Sequence, residues 1–250
     1  MLKPHKMIQN CTKIPENQHV PDTFTLLNWN IYKTNHKLPG IFNYFIRRID
    51  HLYAINFYCL QEAKYTDSNF FPLPGFSLHF AANLQLKSHA YGVMTVSNIY
   101  SHYAESILSK KTEFLFKTHK SSLASHYTFD DKTPLIIINV HAINFKNARI
   151  YAEEIKQLHN YIQPFSNTAM IVAGDFNCWN KRRRHLIYHF CESLGLTLVH
   201  FENQHRIKKF AKHPLDLVMY KNLDCQLAVA IDSHRISDHN PLFLRFAKLQ

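Results

Sequence analysis

The chain alternates between apolar runs of strand length and amphipathic stretches of helical period. The runs are "TFTLLNWNI" (23–31), "INFYCL" (55–60), "YGVMTVS" (91–97), "PLIIINVHAI" (134–143), "AMIVAGDF" (169–176), "LTLVHF" (196–201), "LDLVMY" (215–220) and "PLFLRF" (241–246). Several are continuous rather than alternating, which suits strands buried on both faces or packed sheet on sheet. Between them, "GIFNYFIRRIDHLYA" (40–54) sets Phe42, Phe45, Ile46 and Ile49 on one stripe, with Arg47 and Arg48 off it. "NARIYAEEIKQLHNYIQ" (147–163) does the same with Ile150, Ile155, Leu158 and Ile162. "RRRHLIYHFCESLG" (182–195) stops at Gly195, a C-cap signal. No Gly/Ser/Pro linker divides the chain, so one α/β domain with two sheets packed between outer helices is expected. Residues 1–22 are polar, carry Pro4, Pro15 and Pro21, and read as a flexible leader before a domain at 23–250.

Polar residues recur where the apolar runs end or begin. Asn28 and Asn30 close the first run, Gln61 and Glu62 follow the second, and His141 and Asn144 close the fourth. Asp175 and Asn177 follow "MIVAG", Asp216 opens "LDLVMY", and Ser237, Asp238 and His239 precede the last run. Rigid strands position such groups and loops leave them accessible. If the strand stays extended, Asp175 and Asn177 share a face, because side chains alternate with period two.

Charge narrows the partner. The chain has 250 residues, 46% of them hydrophobic, and a formal net charge of +11. Such a surplus favours anionic partners: nucleic acid, phosphorylated small molecules or acidic lipid. The five cysteines, Cys11, Cys59, Cys178, Cys191 and Cys225, form no CxxC and are odd in number. A disulfide framework or zinc site is not indicated, and a reducing compartment fits best. The N-terminus has no apolar h-region and no window reaches transmembrane length, so a cytoplasmic location is expected.

The strand-end set has a shared chemical logic, the hydrolysis of a phosphoester. The carboxylate of Glu62 suits a hard divalent cation such as Mg²⁺, or Mn²⁺, and the amide oxygen of Asn30 can help to hold it. An Asp can orient or deprotonate the attacking water, and His239, kept protonated by a carboxylate, can stabilise phosphoryl charge.

"LLNWNIYK", "CLQEAK", "GVMTVS", "INVHAINF", "VAGDFNCW", "LDLVMY" and "SDHNPL" occur in the order of the motifs of the endonuclease/exonuclease/phosphatase superfamily, which the chain resembles over roughly residues 23–247. Each motif alone is weak; their joint order is specific. "KSSL", "AGDFNCWNKRRRHLIY" and "HPLDLVMYKNL" are similar to the bacterial YafD-like subgroup. The resemblance implies a DNase I-like, four-layer α/β/β/α sandwich of two mostly antiparallel sheets flanked by helices. It implies that Glu62 is the main metal ligand, with Asn30 close to metal and phosphate and Asp238 a second metal-side carboxylate. Asp175 resembles the residue that positions or deprotonates the water, and Asn177 would orient it. His141 resembles a phosphate-contacting histidine, and Asp216 would pair with the charge-stabilising His239. Some nucleases of the superfamily carry an Asp two positions after the W-N asparagine, where this chain has Tyr32.

The basic segments "KRRRH" (181–185) and "RIKKFAKH" (206–213) flank these motifs. They put Arg182, Lys208, Lys209 and Lys212 on the substrate side with Asn144, and Trp179 and Phe210 within reach of bases. The blander readings are that KRRR is a solvated first helical turn and Asn144 a cap. Asn28 is read as satisfying a turn, Gln61 as a buried hydrogen-bond bracket, Lys64 as a solvated lysine, and His126 and His213 as surface or satisfied core residues. The expectation is a monomeric Mg²⁺-dependent phosphodiesterase acting on nucleic acid. A phosphoinositide or phospholipid phosphoesterase is the alternative, and a silent anion-binding scaffold the third reading.

Overall fold

The computed structural model of the chain describes residues 7–10, 14–66, 71–108, 121–144, 148–210 and 212–249. Its elements run β1 (Met7–Asn10), β2 (Thr23–Asn30), α1 (Thr34–Lys37), α2 (Pro39–Tyr53), β3 (Phe57–Tyr65), β4 (Ser77–Gln85), β5 (Ala90–Ser97), β6 (Tyr103–Leu108), β7 (Ser121–Thr128), β8 (Pro134–His141), α3 (Ala148–Ile162), β9 (Ala169–Asp175), α4 (Lys181–Leu194), β10 (Thr197–Leu198), β11 (Lys209–Phe210), β12 (His213–Pro214), β13 (Asp216–Lys221), β14 (Leu223–Ala230) and β15 (Leu242–Lys248). A seven-stranded sheet has the order β1-β4-β5-β3-β2-β15-β14 and a six-stranded sheet the order β10-β13-β9-β8-β7-β6. The pairs β2–β3 and β8–β9 are parallel, and the other neighbours in both sheets are antiparallel.

Alternation along each strand explains the continuous apolar runs. In β2, Phe24 and Leu26 face the other sheet, while Leu27 and Trp29 face α2. In β8 and β9, Leu135, Ile137, Ile171 and Ala173 point inward, while Ile136, Ile138, Met170 and Val172 meet α3 and α4. Both faces are buried, so no polar alternation survives. The α2 stripe of Phe42, Phe45, Ile46 and Ile49 is buried as its spacing predicts. In α3 the buried set is Tyr151, Ile155, Leu158 and Ile162, with Ile150 only half-buried. α4 ends at Gly195 in the left-handed region, φ 64°, with its N–H bonded to the Cys191 and Glu192 carbonyls. The result is the four-layer α/β/β/α sandwich.

Three differences have physical causes. The strands β4, β6, β7 and β14 carry too much Ser, His, Gln and Asp to show an apolar period, yet Ser121, Ser122 and Ser125 are buried in β7. "LTLVHF" pairs with β13 only at Thr197 and Leu198 before turning away. The expected leader joins the fold: residues 7–10 pair with β4, and Val20 is buried and bridges to Phe129.

Candidate active site

The inner faces of the two sheets change from apolar to polar along their length. Cys59 gives way to Gln61, Ile137 to Asn139 and His141, and Ala173 to Asp175. The first polar layer is structural. Gln61 Nε2 donates to Asn28 Oδ1 at 2.8 Å and to Asn139 Oδ1 at 2.7 Å, while Asn139 Nδ2 donates to the Met94 carbonyl at 3.0 Å. Gln61 is therefore the bracket that its position suggests. Asn28 belongs to this bracket inside β2 and serves no turn, which corrects the sequence reading. Asn139, missed in the sequence because it sits inside an apolar run, ties the two sheets together.

The next layer gathers the sequence-assigned residues. Strand register sets His141 beside Asp175 and Asp175 beside Asp216 across the six-stranded sheet. Asn30, at the end of β2 in the other sheet, donates from Nδ2 to Asp175 Oδ2 at 3.0 Å. His141 Nε2 lies 3.8 Å from Asp175 Oδ2 and 3.9 Å from Glu62 Oε1. Glu62 Oε2 is 3.8 Å from Lys33 Nζ. His239 Nδ1 meets Asp216 Oδ2 at 2.7 Å, and both side chains are buried. Five of the sequence-assigned residues (Asn30, His141, Asp175, Asp216 and His239) are thus buried at one end of the sandwich, with Glu62 half-exposed beside them.

Local backbone geometry aims these groups. Glu62 has φ 52°, and the register between β3 and β5 shifts there, so a bulge turns its side chain toward His141. Asn177 has φ 48°; its N–H donates to Asp175 Oδ1 at 3.1 Å and its Nδ2 to the Ala142 carbonyl at 3.0 Å. The chain leaves the extended conformation after Asp175. The expectation that Asp175 and Asn177 share a strand face therefore fails, and an Asx turn brings them together instead. Ser237 Oγ accepts from the His239 N–H at 3.2 Å and donates to the Asn30 carbonyl at 2.7 Å, while Trp29 Nε1 donates to the His239 carbonyl at 2.9 Å. These contacts pin the S-D-H loop to the end of β2.

Electrostatics sets the state of His239. Burial opposes charge on His239, but the neighbouring Asp216, Asp175 and Asp238 carboxylates outweigh it and push its pKa up to about 9. His239 is an imidazolium at neutral pH, with Nδ1 committed to Asp216 and Nε2 directed elsewhere. Asp175, Asp216 and His239 present ligand atoms within 4.8 Å of one another, an arrangement that could hold an ion. Within the trio His239 Nδ1 is already bonded to Asp216 Oδ2 at 2.7 Å, so these two side chains hold a proton between them. The hard-oxygen set on the other side, the Glu62 carboxylate with Asn30 Oδ1, fits Mg²⁺ or Mn²⁺; Asn30 Oδ1 accepts one N–H, from Tyr32, at 3.1 Å and keeps a second lone pair.

The remaining assigned residues, Arg182 apart, lie around the rim. Asp238 contacts Lys208 Nζ at 3.3 Å and lies 4.0 Å from His239 Nε2. Asn144 Oδ1 accepts from Trp179 Nε1 at 3.1 Å, and Trp179 meets Phe210 edge-on at 5.8 Å. Lys209 and Lys212 are exposed on or beside the β11–β12 ribbon, and Arg182 is exposed on α4. Lys64 is not a solvated lysine: it is buried, with Nζ 3.0 Å from His36 Nε2. The arginine run divides its labour. Arg183, fully buried, donates from Nη1 to the Ile143 carbonyl at 3.0 Å and the Asn177 carbonyl at 2.8 Å, and lies over Tyr151 at 4.3 Å. It joins the loops carrying Asn144 and Asn177, a role hidden in the sequence by its charged neighbours. The spacing from the Asn180 N-cap, whose side chain accepts the Arg183 N–H, is the signal that could have singled it out.

No family model matches the sequence. Among solved structures, the human nocturnin catalytic domain with bound sulfate superposes with a TM-score of 0.68 at 17% identity, covering 96% of this chain and 97% of that one. An endonuclease/exonuclease/phosphatase family protein from Leptotrichia buccalis gives 0.66 at 14% identity, covering 89% and 99%. A mannosyl-6-phosphatase from Bacteroides thetaiotaomicron gives 0.65 at 11% identity, covering 90% and 99%. At these identities the likeness is one of architecture, and the chain has the DNase I-like fold of the endonuclease/exonuclease/phosphatase proteins.

Proposed function

We propose that the chain is a divalent-metal-dependent phosphoesterase that hydrolyses phosphodiester bonds in nucleic acid. The observation that carries this reading is the pair of hydrogen-bonded units facing one another at the strand ends: Asn30–Asp175 at 3.0 Å and Asp216–His239 at 2.7 Å. One unit presents a carboxylate to a water, the other an imidazolium to a phosphoryl oxygen. Mg²⁺ or Mn²⁺, held by Glu62 and Asn30, would supply Lewis-acid polarisation of the phosphoryl group. Asp175, held by the Asn30 side chain and the Asn177 N–H, accepts the proton of the attacking water. Asn177, with one N–H committed to Ala142, orients that water through its remaining amide groups. His239 donates from Nε2 to the developing oxyanion, and Asp216 holds the ring in that orientation. His141 lies between both carboxylates and contacts the phosphate.

Nucleic acid is favoured by the net charge of +11 and by the rim that combines Lys208, Lys209 and Lys212 with the Trp179–Phe210 pair and Asn144. A solved neighbour that is a mannosyl-6-phosphatase keeps a phosphomonoesterase reading open as the alternative. Purified protein assayed with Mg²⁺ or Mn²⁺ on plasmid DNA, abasic duplex, RNA and phosphoinositides separates the two. The nuclease reading expects cleavage of a nucleic acid and no activity in EDTA. It also expects that replacing Lys208, Lys209 and Lys212 by Ala lowers the salt slope of DNA binding by roughly 0.9 per lost phosphate contact. Full activity in EDTA overturns the metal assignment, and an unchanged slope removes these lysines from the nucleic-acid interface.

A further inference from the structure

A cavity of about 290 Å³ lies next to the centre just described, between α4, residues 198–207 and the β11–β12 ribbon. It exists because "LTLVHF" stops pairing after Leu198. The edge of β13 at Asp216–Val218 is then left without a full neighbouring strand, and only the Val199 N–H reaches Val218 O at 2.9 Å. The walls are apolar, from Ile187, Leu198, Phe201 and Ile207, and the rim carries Arg184, Lys209, Lys212 and His213. Arg184 bonds to His213 Nδ1 at 3.1 Å and the Tyr188 hydroxyl at 3.1 Å, neither of them a carboxylate. Among the described lining residues the one carboxylate is Asp216, whose Oδ2 holds His239 and whose Oδ1 is buried without a hydrogen-bond partner. The cavity is therefore apolar within, cationic at the mouth, and one side chain away from His239.

We propose that this cavity is a subsite for a heteroaromatic ring of nucleobase size, carried by the phosphate ester that reacts at Asp175 and His239; it rests on the phosphoesterase reading above. Its volume sits near the lower end of small-ligand pockets, about 300–1,000 Å³, enough for a ring system and short for a long acyl chain. Apolar walls bury the ring faces, His200 and Gln204 offer polar contacts to its edge, and the rim cations attract the anionic ester. The substrate class is thus a nucleotide or a nucleotide end whose base is held, rather than a lipid headgroup.

Isothermal titration of the full chain in Mg²⁺ with adenosine 5′-monophosphate, hexyl phosphate and inorganic phosphate tests the subsite. The nucleotide should bind at least about tenfold more tightly than inorganic phosphate, the gain expected of about 1.4 kcal/mol from burying a ring, and more tightly than hexyl phosphate. Leu198→Trp, which fills the cavity, should erase that gain and leave the affinity for inorganic phosphate within about twofold. The exposed-rim substitution His200→Glu should weaken the nucleotide in the same direction with no change to the core. Equal affinity for nucleotide and inorganic phosphate, or a gain untouched by both substitutions, overturns the proposal; equal affinity for nucleotide and hexyl phosphate overturns the ring assignment. Hydrolysis of bis(p-nitrophenyl) phosphate by the wild type is followed in parallel. Hydrolysis without the nucleotide gain sinks the subsite alone, and absence of hydrolysis sinks the phosphoesterase reading and the subsite with it.

Discussion

Glu62 and Asn177 hold φ near +50°, a region that costs a non-glycine residue on the order of 1–3 kcal/mol. Both side chains are candidates for the chemistry, and both are aimed by that backbone turn. An observed outlier of this kind points toward function, because the surrounding packing must over-determine it. Buried groups away from the site behave differently. Burial pushes His79 down to about 4, with Ser125 Oγ 3.3 Å from its Nδ1. The folded chain keeps this ring neutral, whereas the unfolded chain protonates it near pH 6.5. Its contribution to stability is present above about pH 6.5 and is lost as pH falls toward about 4, at a rate on the order of 1 kcal/mol per pH unit. Urea unfolding at pH 7 and pH 5 should show His79→Asn losing less stability than the wild type across that interval. Equal losses would mean that His79 is solvated and titrates normally.

At the scale of elements, the site depends on how closely β8 and β9 approach. Gly174 precedes Asp175, and a Cβ at this position would sit 1.9 Å from the Val140 carbonyl oxygen, which is backbone and cannot rotate away. Gly174→Ala should cost about 1–3 kcal/mol and displace Asp175 from Asn30, read as a lower urea midpoint together with lost activity. Wild-type stability in that variant would mean the two strands can separate freely. The glycine is legible in "VAGDFN" as the stop of an apolar run, but its partner Val140 is not, since no local pattern encodes which strand lies alongside. The three long helices and the strands at 23–30 and 169–175 were legible because apolar residues carry their period. β7 was not, because Ser121, Ser122 and Ser125 are buried by tertiary packing that their composition does not announce. Arg183 was hidden for the opposite reason: a buried cation between exposed ones looks like part of a charged surface.

For the whole molecule, two sheets bring residues from positions 30 to 239 to one end of a sandwich, beyond a buried polar bracket and an apolar core. The order of short polar motifs along the chain made this set readable, since each motif ends or begins a strand that the fold aligns. Details such as the Asx turn at Asn177, the place of Asn139 between the sheets and the bulge at Glu62 depend on register, which motif order does not carry. No helix among the described residues is long and apolar enough to cross a membrane. The central claim is that Asp175 activates a water opposite an imidazolium held by Asp216. Removing the carboxylate's basicity while keeping its shape tests it most directly, through steady-state kinetics of Asp175→Asn on the best substrate, with circular dichroism to verify the fold. General acid–base contributions are typically 10²–10⁴-fold, so kcat should fall by about two orders of magnitude or more while KM changes little. A folded Asp175→Asn protein with near-wild-type kcat would contradict the account.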